Sequence, residues 1–172
     1  MRDFRPRLKG NIKIAYDNLV SKESRILVIG DLHEPFCLDS YLDHCLYIYA
    51  KHNCNKVIFI GDLIDNHFSS YHKAFPKAEV IIGNHDRLIR RKAFSGNIPK
   101  AWIKDYKEVL KTPKWKFKDR VVYDKVQYIH GEAGTARTKC RADLQSTVQG
   151  HLHTQCYTEY FVALNLKYLV LK

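Results

Sequence analysis

Five short stretches of this sequence place Asp, Asn or His directly after an apolar run. They are Gly30-Asp31-Leu32-His33, Gly61-Asp62-Leu63-Ile64-Asp65, Gly83-Asn84-His85-Asp86, His130-Gly131 and Gly150-His151-Leu152-His153. Carboxylate and amide oxygens mixed with imidazoles, with no thiolate among them, suit a pair of manganese, iron or zinc ions better than a structural zinc. Each stretch alone is commonplace, since a histidine at a strand end is more often a hydrogen-bonded structural residue than a ligand. Five together are harder to explain that way. Asp31, Asp62, Asn84, His130, His151 and His153 would each follow an apolar strand without a partner, and buried polar groups without partners are costly. A shared metal centre would satisfy them all, and only a fold can assemble it, because the five stretches are scattered along the chain.

The elements that must position these residues are legible. Ile26–Gly30, Val57–Gly61 and Val80–Gly83 are β-branched runs ending on glycine. Continuous rather than alternating apolar character predicts strands buried on both faces. Between the first two, the spacing predicts a helix over Asp39–His52, with Leu38, Leu42, Cys45, Leu46 and Tyr49 inward and Asp39 or Ser40 as its cap. Strand, helix, strand is a βαβ unit, so the core sheet should be partly parallel. A second helix is expected from Pro99, carrying Trp102, Ile103, Tyr106, Val109 and Leu110 inward. Short strands follow at 121–123, 126–130, 147–149, 157–163 and 168–171. In open α/β sheets ligands bind outside the carboxyl ends of the strands, and glycine before the polar residue allows a sharp turn and close backbone approach.

Composition narrows the classes. A chain of 172 residues, 45% hydrophobic and 27% charged, fits one packed domain over 1–172, with a motif-bearing core of about 25–160. The longest apolar runs are far short of the roughly 20 residues that span a bilayer, and MRDFRPRLKG has no apolar stretch behind it, so a cytoplasmic protein is expected. Cys37, Cys45, Cys54, Cys140 and Cys156 form an odd set without a CxxC pair, which reads as free thiols.

In type, order and spacing the five motifs resemble those of the calcineurin-like metallophosphoesterases, from about Arg25 to Tyr160. The resemblance implies an α/β fold, a four-layer αββα sandwich of two mixed sheets flanked by helices, with a two-metal site at strand carboxyl ends. It implies that Asp31, His33 and His153 hold one ion, that Asn84, His130 and His151 hold the other, and that Asp62 bridges them. His85 would contact the substrate phosphate and assist the leaving group, Asp86 would orient or tune His85, and Asp65 would stand behind the ligands. Two divalent ions are implied, manganese first, with iron or zinc as alternatives. Ions about 3.5–4 Å apart lower the pKa of a shared water and cancel charge on phosphate oxygens, while an imidazole can protonate a departing alkoxide. The second motif lacks the Arg-Gly of protein phosphatases, showing Asn66-His67, and the third reads Asn-His-Asp rather than Asn-His-Glu. Both departures lean towards the phosphodiesterase and nuclease-like branches. The stretch from Asn66 to Lys77 is short for a family that usually fits a helix there.

Charge points the same way. Formal net charge is +11, and segment 87–120 holds twelve Lys or Arg against three acids, a net +9, interleaved with Trp102, Tyr106, Trp115 and Phe117. Phosphate backbones and bases can use that combination; the competing reading is a solvated basic face over core aromatics. The expectation is a metal-dependent phosphoesterase, foremost a phosphodiesterase acting on nucleic acid through segment 87–120, with no membrane partner. The alternatives are a phosphomonoesterase of small phosphates or phosphoproteins, and a non-catalytic binding module that kept the fold.

Overall fold

Two sheets organise the described residues, 24–33, 36–63, 71–163 and 166–172, of this computed structural model. In the first, β1 (Ile26–Ile29), β2 (Lys56–Phe59), β3 (Glu79–Ile81) and β4 (Lys116–Lys118) lie in that order, and every neighbouring pair is parallel. This corrects the expectation of two mixed sheets: the first is parallel throughout. Its two faces explain the continuous apolar runs. Leu27, Ile29, Val57, Phe59 and Val80 join one core with Trp115 and Phe75, while Ile58, Ile60 and Ile81 pack with Val121, Tyr128 and Val148 of the second sheet. Ile58 and Ile81 are wholly inaccessible, so cutting either to alanine would cost about 2–5 kcal/mol. They also anchor the strand ends that carry Asp62 and Asn84, so packing energy here fixes the position of polar groups.

The second sheet is mixed. It comprises β5 (Arg120–Tyr123), β6 (Val126–Ile129), β7 (Ser146–Gln149), β8 (Thr158–Ala163) and β9 (Leu166–Leu171), in the order β5-β6-β7-β9-β8. The β5/β6 and β8/β9 pairs are antiparallel, whereas β6/β7 and β7/β9 are parallel. Asp124 and Lys125 close the β5–β6 hairpin with φ of 49° and 64°, the two-residue geometry that matches strand twist.

Among the described residues five α-helices flank the sheets: α1 (Tyr41–Lys51), α2 (Tyr71–Ala74), α3 (Leu88–Ser95), α4 (Tyr106–Val109) and α5 (Ala136–Asp143). Helix α1 lies within its predicted span, but Leu38 is 76% and Leu46 39% exposed, and Ser40 caps without a side-chain bond. Its inward face is Cys45, with Leu42, Ile48 and Tyr49 partly buried. The helix expected from Pro99 breaks in two. A 3-10 turn at Lys100–Trp102 is followed by extended Ile103, and Asp105 then accepts the Tyr106 N–H to start α4. Trp102 is 82% exposed, and of the expected inward set Leu110 alone is fully buried. Trp115 is core, its indole N–H donating to the Phe75 carbonyl at 2.8 Å. Helix α5 seats Ala136 and Cys140 against Tyr168 and Val170 of β9. None of the five cysteines is joined in a disulfide. No helix among the described residues is long and apolar enough to cross a membrane.

Candidate metal centre

The carboxyl ends of β1, β2, β3, β6 and β7 meet. Asp31, His33 and His153 each bring a donor atom within 4.8 Å of the others, and so do Asp62, His130 and His151. Asp62 touches both groups: its Oδ2 lies 3.1 Å from His130 Nε2 and 3.9 Å from His33 Nε2. Asn84 Oδ1 lies 2.9 Å from His130 Nε2. All seven residues expected as ligands are therefore gathered at one place. His85 stands at the exposed rim, its ring edge-on to His33 at 4.7 Å. Asp65 and His67 lie outside the described residues, and His72 sits half-buried on α2.

The motifs lock one another through backbone. Asp31 Oδ2 accepts the His151 N–H at 2.7 Å, Asp62 Oδ1 accepts the His85 N–H at 2.9 Å, and the Asp62 carbonyl accepts the His33 N–H at 3.0 Å. Asp62, His33 and His151 hold φ of 46°, 48° and 75°, a region that non-glycine residues visit seldom and that clusters at functional sites. Two glycines make the approach possible. A Cβ on Gly61, at φ of 113°, would overlap the His130 ring, and one on Gly83 would overlap the Asp62 carboxylate. Asp86 Oδ1 and Oδ2 accept the N–H groups of Leu63 at 3.0 Å and Gly83 at 2.8 Å, so this carboxylate ties the second motif to the third.

The donor set fits cations. His130 Nδ1 lies 3.0 Å from the Ile60 carbonyl, which can only accept, so that nitrogen carries the proton. Nε2 then faces two acceptors, Asp62 Oδ2 and Asn84 Oδ1, an arrangement that needs a proton or a metal ion between them. Asp31 Oδ1 is buried with no hydrogen-bond partner among the described residues, and His33 Nε2 and His153 Nε2 approach to 3.3 Å. A cation at each group relieves these juxtapositions.

Titration behaviour carries the same imprint. Burial pushes the Asp31 carboxyl above its ordinary value despite the neighbouring His130 and the His151 N–H. Burial would raise Asp62 too, but hydrogen bonds from His130 and the His85 N–H hold it below. For His130, burial pulls downward and is outweighed by the Asp62 hydrogen bond and the charges of Asp62 and Asp31, so its pKa rises. Burial and then the charge of His130 lower His151.

Three contributors escape a reading of motifs. The Tyr106 hydroxyl donates to the Asp86 carbonyl at 2.9 Å. Gln149 Nε2 donates to the Gly131 and Gly134 carbonyls at 3.3 and 3.1 Å, pinning the loop after His130. The Lys172 ammonium donates to the Gly150 carbonyl. Only Gln149 carried a signal, as a polar residue ending an apolar strand; the other two depend on long-range folding.

The described residues form an α/β arrangement of two sheets and five helices with Asp, Asn and His gathered at strand ends, the frame of a metal-dependent phosphoesterase. Comparison with protein families matches residues 24–155 to the calcineurin-like phosphoesterases, and the chain belongs to that family. It matches no curated protein and no solved structure.

Proposed function

We propose that the protein is a two-metal phosphodiesterase acting on nucleic acid, built as one domain whose core clusters stack as helix, sheet, sheet, helix. One observation carries this reading: the donor groups Asp31–His33–His153 and Asp62–His130–His151 stand side by side, with Asp62 in reach of both. Asp31, His33 and His153 would hold one divalent cation, Asn84, His130 and His151 the other, with Asp62 between them; manganese is the first candidate. Bound there, two cations supply an activated water and charge for the phosphate oxygens.

The chain's own groups do the rest. His130 is fixed in the tautomer that leaves Nε2 free for coordination by its contact with Ile60. His85 projects from the residue after Asn84, and its exposed imidazole is placed to protonate the departing alkoxide oxygen. Asp86 acts as a positioning residue, holding the turn that presents His85 through the Leu63 and Gly83 N–H groups.

Hydrolysis of bis-p-nitrophenyl phosphate and of p-nitrophenyl phosphate, each with Mn²⁺ and with chelator, tests the proposal. Metal-dependent turnover favouring the diester is expected. Turnover of the monoester alone would replace this reading with a phosphomonoesterase, and inactivity on both with two metals bound would point to a binding module.

A further inference from the structure

The charge of segment 87–120 is unevenly committed. Arg87 is ion-paired with both Asp119 and Glu132, and Arg90 pairs with Asp105 at 2.8 Å while lying 4.3 Å over the Tyr106 ring. Arg91 has no carboxylate partner among the described residues. Its guanidinium makes one long contact, 3.4 Å to the Asn84 carbonyl, which leaves most of its five donors available. Phe94, one helical turn further along α3, is 83% exposed.

These side chains line a cavity of about 530 Å³ between α3 and α4, a volume in the range of small-ligand sites. The cavity borders the metal centre. Arg91 reaches the backbone of Asn84, and Tyr106 in its wall donates to the carbonyl of Asp86. Tyr106 is itself held between Arg90 and the stacked ring of Phe117, 5.2 Å away, so the wall is rigid and the free aromatic face is that of Phe94. An arginine with spare donors beside an exposed ring suits a phosphate and a base on the same nucleotide.

We infer that the α3–α4 cavity is the subsite for the nucleotide next to the scissile phosphate of a single-stranded nucleic acid, with Arg91 on its outer phosphate and Phe94 against its base. The inference rests on the phosphodiesterase reading above and assigns the part of the molecule that selects the substrate. A small aryl diester fills the metal centre without extending into the cavity, whereas an oligonucleotide must lay its neighbouring unit somewhere, and this is the basic, aromatic recess beside His85.

The test compares Arg91→Met and Phe94→Ala with the unchanged protein, with Mn²⁺, on bis-p-nitrophenyl phosphate and on ten-residue thymidine and uridine oligonucleotides. For each variant kcat/KM on the oligonucleotides should fall about tenfold or more relative to the change on the aryl diester, mostly through KM. Arg91→Met should also flatten the dependence of log affinity on log salt by about 0.7, the slope of one single-strand phosphate contact. Both side chains are exposed, so folding is not at stake. Equal losses on both kinds of substrate, or an unchanged salt slope, would overturn the subsite while leaving oligonucleotide cleavage standing. If the unchanged protein turns over the aryl diester but neither oligonucleotide, the nucleic-acid reading fails first and takes the subsite with it.

Discussion

The two donor groups of the candidate metal centre are built differently. In the inner one, the Asp62 and His130 side chains are each only 2% exposed, and backbone groups hold both: the His85 N–H on Asp62 and the Ile60 carbonyl on His130. The outer one ends in His153, whose side chain is 60% exposed and sits on the loop after β7. Asp62 and His130 are part of the core, so their geometry is set when the sheets pack, while His151 joins them half-buried from the loop after β7. The outer group is closed by a side chain that water can reach. One half thus derives its precision from burial, whereas the other is completed by an exposed side chain that packing does not hold.

The largest effect should follow from the residue common to both halves. Asp62→Asn keeps the size of the side chain, and its Oδ1 can still accept the His85 N–H, but it removes the charge between the two groups. Losing several kcal/mol of transition-state stabilisation corresponds to about a thousandfold or more in kcat. Metal content measured alongside should fall at both groups. Full activity with unchanged metal content would remove Asp62 from the site.

Substitutions within the halves should separate them. His130→Ala takes the imidazole away from the buried Ile60 carbonyl and from Asp62 Oδ2, a loss of about 1–3 kcal/mol. For a chain of this size that lowers Tm by roughly 2–4 °C per kcal/mol, with activity that added Mn²⁺ does not restore. His153→Ala removes an exposed side chain, so Tm of the metal-free protein should move by no more than about ±0.5 kcal/mol would cause. Its activity should return as Mn²⁺ is raised by about 10–100-fold. Rescue of both variants alike would erase the distinction between the halves.

What the sequence disclosed follows the same division between packed and unpacked structure. Strands β1, β2 and β3 and the residues at their ends were legible because burial on both faces makes an apolar run continuous, and the first polar residue after it marks where the strand leaves the core; the parallel β4, Lys116–Lys118, has no apolar run and went unread. Helices α3 and α5 were not, since each buries only one or two small side chains, Ala93 in one and Ala136 and Cys140 in the other, too few to write a helical period. The helix expected from Pro99 shows the reverse error. Trp102, Ile103, Tyr106 and Leu110 have helical spacing, but Asp105 caps a new turn in their midst and Trp102 stays in solvent. Of the aromatics interleaved with the basic residues, Trp115 belongs to the core and Phe117 packs on it and on Tyr106. The residues proposed as ligands could be picked out in the sequence and lie together in the fold, whereas the contacts of Asp86, Gln149 and Lys172 could not, because they join segments that only the finished fold brings together.

Proton competition offers a gentler separation. Without metal, the raised His130 pKa means its imidazolium persists to higher pH than a free histidine would allow, paired with an Asp62 that stays ionised. The stability this protonation lends the metal-free fold is complete below the unfolded histidine pKa of about 6.5 and is lost as pH rises through the folded value. Metal at the inner group requires His130 to be neutral, so binding there releases a proton below that folded value and none above it. Inner-site affinity should therefore fall by up to about tenfold per pH unit on acidification below the His130 pKa. Calorimetric titration in two buffers of different ionisation enthalpy counts the proton directly, and no buffer dependence at pH 6 would show that His130 does not bind metal.

The smallest effect should come from a tether shared by the halves. Lys172 donates to the Gly150 carbonyl, at the start of the loop that carries His151 to the inner group and His153 to the outer. Burial lowers its pKa and the charge of Asp31 partly restores it, so the ammonium stands near the outer group. Lys172→Met removes a hydrogen bond worth about 0.5–1.5 kcal/mol, enough to weaken Mn²⁺ binding about two- to tenfold. It also removes a positive charge that repels cations, which acts in the opposite direction. Salt separates the two contributions, because the repulsion is screened while the hydrogen bond is not. The loss of affinity should accordingly be larger at 0.5 M NaCl than at low salt. Since both histidines ride on this loop, both groups should weaken by similar factors; weakening of the outer group alone would mean that His151 is held by the core independently of the loop that bears it.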